Sequence, residues 1–225
     1  MTTPIERTTR GLCEHLFCTL EALRGGVALT VAQNTRIALD GQGLLNVSVD
    51  GAVLNALVQN QGLILADGGA VYLSARGKDL LLSSVVNQTG VVRARSVQNQ
   101  NGRIILSGGD SGTVQVSGTL DASGSAAGQS GGRIEVTGQH IALSQATLDA
   151  SGHSAGGSVR IDAAATGSTR IEASTISVNA TADPTNGTNA MAQAGRITVG
   201  GAAISLTRST LSASAPGGGG RIEVG

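Results

Sequence analysis

A five-residue phrase returns every 28 residues through the middle of this chain. It starts at Gly62 (Gly-Leu-Ile-Leu-Ala), Gly90 (Gly-Val-Val-Arg-Ala), Gly118 (Gly-Thr-Leu-Asp-Ala), Ala146 (Ala-Thr-Leu-Asp-Ala) and Ser174 (Ser-Thr-Ile-Ser-Val), and a sixth copy at Ser209 follows after 35. The third residue is always branched and apolar: Ile64, Val92, Leu120, Leu148, Ile176, Leu211. The fifth is small or apolar, and the second and fourth drift toward Thr, Asp, Ser and Arg. Alternation by two is a strand with one face in a core and the other in water. A unit of this length cannot bury its own apolar side, so units must stack.

A second strand signature keeps step with the first and opens on glycine. It runs from Gly69, Gly102, Gly132, Gly157, Gly195 and Gly220. Its inward pairs are Val71/Leu73, Ile104/Leu106, Ile134/Val136, Val159/Ile161, Ile197/Val199 and Ile222/Val224. The glycine is expected to serve a tight corner. Weaker third strands, Ile141–Leu143 and Ile204–Leu206, lie between the signatures in some units. The fold class that follows is all-β: a parallel β-helix of roughly seven coils over residues 27–225, right-handed by the chirality of parallel crossovers.

Composition fits a narrow solenoid filled with aliphatic layers. There is one Phe, one Tyr and no Trp, against 34 Gly. Acidic and basic side chains balance at 15 each, which argues against a polyanion-binding stripe and a nucleic-acid partner. No run of 18 apolar residues exists, so no helical membrane span is expected.

Residues 1–26 read differently. Thr3-Pro4-Ile5-Glu6 matches a helix start, and Leu12, Leu16, Leu20 and Leu23 make a helical stripe ending at Gly25-Gly26. The expectation is a short helical cap, or a disordered segment, without the features of a secretory signal peptide. Cys13, His15 and Cys18 lack a fourth ligand for zinc, so they read as idle thiols and a histidine, with no metal site.

The connections between first and second signature vary: Ser123–Ser130, Ser151–Ala155, Asn179–Ala194 and Ser214–Gly218. They leave and rejoin equivalent strands, so they are expected along one edge of the stack, where repeat proteins place recognition or tolerate length variation. Asp121 and Asp149 hold equivalent outward slots, as paired carboxylates would for cation or acid–base work. Ser177 and Ser212 follow in that slot and Arg93 precedes, which favours a solvated charge ladder with Arg93 facing Asp121. Thr119, Thr147, Thr175 and Thr210 form one hydroxyl row. Glu135 and Arg160 share a slot on successive units and are expected within side-chain reach. His140 and His153 stand outside any catalytic spacing. No catalytic, metal or cofactor residue is assigned, and no enzyme activity is expected.

The run from Val91 to Gly124, with Gly-Thr-Leu-Asp-Ala-Ser-Gly at its end, and the following Gly131–Gly138 resemble filamentous-haemagglutinin-like adhesins. These are the exported partners of bacterial two-partner secretion systems. The resemblance covers about residues 27–225. It implies a secreted or cell-surface β-helical stalk that attaches to host cells or other bacteria through surface receptors or glycans, and an outer-membrane transporter as export partner. The family's Asn-Pro-Asn-Gly and Asn-Pro-Asn-Leu secretion motifs do not occur here, so the chain is expected to be a segment of a longer adhesin. Asn46, Asn87, Asn179 and Asn186 fit the sequon at which some relatives are sugar-modified. The competing readings are a β-helical polysaccharide lyase or hydrolase, which shares the architecture, and a non-functional truncated remnant.

Overall fold

The computed structural model describes residues 19–22, 25–31, 34–39, 45–50, 57–75, 85–97, 101–182 and 192–225. They form an all-β solenoid, a parallel β-helix with three strand faces, and no helix occurs among them. Seven short strands build the first face: Thr19–Glu21, Leu63–Leu65, Val91–Arg93, Thr119–Asp121, Thr147–Asp149, Thr175–Ser177 and Thr210–Ser212. Each pairs in parallel with the next, residue for residue. The register therefore carries Leu20, Ile64, Val92, Leu120, Leu148, Ile176 and Leu211 down a single file. Ile64 through Ile176 are wholly buried, each contributing about 1.5–3 kcal/mol by leaving water.

The glycine-led face is equally regular. Gly26–Val31, Ala70–Ala75, Arg103–Ser107, the front of Arg133–Ser144, the front of Ser158–Glu172, Arg196–Gly200 and Arg221–Val224 pair in parallel. All six expected inward pairs lie in register, and Val27/Leu29 adds a seventh. The third face is continuous rather than occasional. Leu57–Asn60, Val85–Gln88, Thr113–Val116, the back halves of the two long strands and Ala203–Thr207 pair in parallel. The long strand at Arg133–Ser144 turns from one face to the other at a register shift between Gly138 and His140.

The helix expected to reach Leu23 is corrected where it can be tested. Thr19–Glu21 is a strand, the first rung of the first face, because Leu20 continues the file above Ile64. The preceding positions of that stripe, with Cys13, His15 and Cys18, lie outside the described residues. An antiparallel hairpin, Asn34–Leu39 against Leu45–Asp50, interrupts the first coil between its glycine-led and third-face strands.

The leading glycines have a different reason from the one expected. None of Gly69, Gly102, Gly132, Gly157, Gly195 and Gly220 adopts a positive φ. At five of the six what excludes a side chain is the coil next door, and at Gly102 it is the Ala94 carbonyl of its own coil. A Cβ on Gly157 would sit 2.0 Å from the carbonyl oxygen of Gly132, and one on Gly195 would sit 1.9 Å from that of Gly157. Those carbonyls accept the N–H of the next strand residue: Ser158 N donates to Gly132 O at 3.0 Å, and Arg196 N to Gly157 O at 3.1 Å. The column is thus a line of close backbone approach between rungs.

A second corner, from third face to first, is solved in two ways. In the early coils Gly90 and Gly118 occupy it, where a Cβ would lie 2.1 and 2.0 Å from the preceding coil's carbonyl. In the later coils the residue before takes the left-handed conformation instead: Gln145 (φ 57°), Ala173 (φ 48°) and Arg208 (φ 52°). Such a residue carries strain of about 1–2 kcal/mol. The swing makes room for side chains at Ala146, Ser174 and Ser209, and the hydroxyls work: Ser174 Oγ accepts the Ala146 N–H at 3.1 Å, and Ser209 Oγ accepts that of Ser174 at 3.2 Å.

Candidate interaction surface

The variable connections do stack along one edge. Parallel bridges join Gly124 to Gly152 and Gly152 to Ala180, and others join Ser130 to Ala155 and Ala155 to Gln193. His153 N donates to Gly124 O, Ser154 N to Gln129 O, and Ala182 N to His153 O. The loops are therefore extensions of the solenoid's own ladder. The middle of the longest, residues 183–191, lies outside the described residues.

Beside this edge, where the first face ends, runs a polar ladder. Arg93 grips Asp67 through two bonds, at 3.1 and 2.8 Å. Arg95 donates to Asp121 at 2.7 Å. Further along, Ser151 and Ser177 hydroxyls meet at 2.8 Å, and Asn179 Oδ1 accepts from the Ser212 hydroxyl and from both the N–H and hydroxyl of Ser214.

Two expectations need correction here. Asp121 does face Arg93 in register, but Arg93 turns back to Asp67 and Arg95 takes its place. Asp121 is also buried rather than solvated, at 9% exposure. Its Oδ1 accepts the N–H and hydroxyl of Ser123, leaving only Oδ2 for a cation. Asp149, its register partner, accepts the Ser151 N–H. Each carboxylate thus closes its own turn.

Glu135 and Arg160 sit opposite one another on adjacent coils, as expected. They do not pair. Arg133 reaches Glu135 at 3.3 Å and Arg160 reaches Asp162, each along its own strand. The same arrangement joins Arg170 to Glu172 and Arg221 to Glu223. These four pairs share a phrase legible in the sequence but easily passed over: Arg-Ile followed by an acid at Arg133, Arg160, Arg170 and Arg221. Two rungs break it, Arg103-Ile-Ile105 and Arg196-Ile-Thr198. Glu172 also receives Arg208 at 2.8 Å. Hydrogen bonds from Arg170 and then Arg208 hold the Glu172 carboxyl below its ordinary value.

The threonine row is in register from Thr119 to Thr210. His140 Nδ1 meets the Ser168 hydroxyl at 2.9 Å, and His153 Nδ1 accepts the Gly128 N–H at 3.2 Å. Among the described residues no cluster of His, Cys, Asp or Glu could hold a metal ion. An open groove lies at the loop edge, lined by Asn101–Arg103, Ser130–Arg133 and Ala155–Ser158.

No family model matches the chain. Over 81 residues, 36% of its length, it is 35% identical to the heme/hemopexin-binding protein of Haemophilus influenzae. The matched stretch spans 8% of that protein.

Proposed function

We propose that this chain is a structural and adhesive segment of a secreted or surface-exposed bacterial protein, exported through an outer-membrane transporter of the two-partner type. The observation that carries this reading is the stack itself: parallel faces paired coil to coil, with variable loops gathered on one edge. Such a solenoid is a rigid spacer that displays one surface along its length. The partial similarity to an H. influenzae heme/hemopexin-binding protein supports a bacterial exoprotein. That relative's ligand belongs to a protein of which 8% is matched, and it does not transfer to this segment.

A non-enzymatic role is part of the proposal. The carboxylates that a β-helical hydrolase would need are engaged with Ser123, Arg95 and Ser151. The test is adhesion by beads coated with the purified chain to epithelial cells and to other bacteria, beside albumin-coated beads. Retention above the albumin control is the expected result. Equal retention, or turnover of a polysaccharide panel that disappears on Asp121→Ala or Asp149→Ala, would reverse the assignment.

A further inference from the structure

Along the glycine-led face, four rungs open on arginine: Arg103, Arg133, Arg196 and Arg221. An acid two residues on, Glu135 or Glu223, balances Arg133 and Arg221. Arg103 stands directly beside Arg133 in the ladder, and like charges in that relation repel. Where Glu135 sits on the next coil, Arg103 has Ile105. Among the described residues no ion pair involves Arg103, and its Nε is buried without a hydrogen-bond partner. An ionised donor left in that condition calls for an explanation.

Arg103 and Arg133 both line the groove at the loop edge. Gly102, Gly131, Gly132, Gly156 and Gly157 also line it, each packed against a backbone carbonyl too closely for a side chain. Ser130, Ser158 and Asn101 add neutral polar groups. The backbone N–H groups of four of these glycines are committed: those of Gly131 and Gly156 donate to Ala155 and Gln193 of the next coil, and those of Gly132 and Gly157 to Ala122 and Ala150 across the base of their own loops. Any charge recognition there falls to the guanidinium groups, of which only Arg133 has an acid partner, Glu135.

We propose that this groove is an oxyanion-binding site centred on Arg103, accepting a sulfate, phosphate or carboxylate group, free in solution or carried on an acidic glycan. The planar fork of arginine matches such groups with two parallel bonds. A modest turn of the Arg103 side chain brings its Nε into that fork and satisfies the orphaned donor. The site stands apart from the export reading and survives or fails without it.

Calorimetric titration of the full chain at low ionic strength, with inorganic sulfate and with a sulfated hexasaccharide, tests the assignment. The expected result is saturable binding that Arg103→Gln weakens about tenfold or more. Arg196→Gln, which removes the other unbalanced arginine, is expected to leave it within about twofold, because Arg196 lies outside the groove. Ile105→Glu restores the Arg-Ile-acid phrase and is expected to abolish binding with Arg103 still in place, which keeps the test decisive if Arg103→Gln misfolds. Saturation by sulfate with no gain from the hexasaccharide assigns the site to free oxyanions. Tighter hexasaccharide binding that sulfate competes away assigns it to a glycan. Absence of saturable binding to either probe, or equal losses in Arg103→Gln and Arg196→Gln, would overturn the proposal.

Discussion

Replacing Gly157 by alanine isolates the contact on which coil stacking turns. The added Cβ would lie 2.0 Å from Gly132 O and 2.7 Å from Gly131 C, where real Cβ contacts stay above 3.0 Å. The two coils must therefore separate by about 1 Å locally, a fifth of the ~4.8 Å between strands. That displacement lengthens the Ser158 N–H bond to Gly132 O from 3.0 Å to about 4 Å, beyond hydrogen bonding. An unsatisfied buried backbone pair costs about 1–3 kcal/mol, and forced overpacking adds about 1–3 kcal/mol. The expected loss is about 2–6 kcal/mol. In urea, with a slope of about 2 kcal/mol per molar, the midpoint followed by far-ultraviolet circular dichroism should fall by about 1–3 M. Gly219→Ala is the matched control: its nearest neighbour would be 3.7 Å away, and the change should stay within about 0.5 kcal/mol. If Gly157→Ala unfolded at the same urea concentration as that control, the close-approach account of the glycine column would be wrong.

Leu148→Ala empties the file between Leu120 and Ile176 and should cost about 2–5 kcal/mol by the same denaturation assay. Asn60 Nδ2 donates to the buried Gln88 Oε1 at 2.8 Å, so Gln88→Val alone should lose about 1–3 kcal/mol, while the double change with Asn60→Val should recover most of it. Asp121→Ala, which strands the Ser123 N–H and hydroxyl and frees Arg95, should lower stability by about 1–3 kcal/mol with the circular dichroism spectrum unchanged. Glu172 is depressed in the folded chain, so its stabilisation is complete above its ordinary value of 4.5 and fades as pH falls through the lower folded value. Glu172→Gln should therefore flatten the melting temperature against pH in that acid window, and an unchanged slope would refute the link.

What the sequence disclosed, and what it hid, follows from which residues occupy the inward slots. Ile64, Val92, Leu120, Leu148 and Ile176 are aliphatic without exception, so their file was legible from spacing alone. The third face was half hidden because Asn60, Gln88 and Thr169 take inward slots and break the apolar alternation. Thr19–Glu21 was masked by leucines at helical spacing, since Leu20 serves either pattern and only the partner Ile64 decides. The hairpin at Asn34–Leu39 and Leu45–Asp50 went unread because it is out of phase with the repeat. At the loop edge, the connections were foreseeable from their shared endpoints. The Asp67–Arg93 and Arg95–Asp121 pairs were not, because a repeat of backbone slots does not fix which acid each long arginine side chain turns to.

Because the edge loops rejoin the ladder by backbone bonds at Gly152, Ala155 and Ala180, their lengths vary without disturbing the rungs on either side. Lengthening such an excursion changes closure entropy only slowly. One flank of the molecule is thereby free to drift or be re-engineered residue by residue, while the other two remain answerable to a fixed lattice.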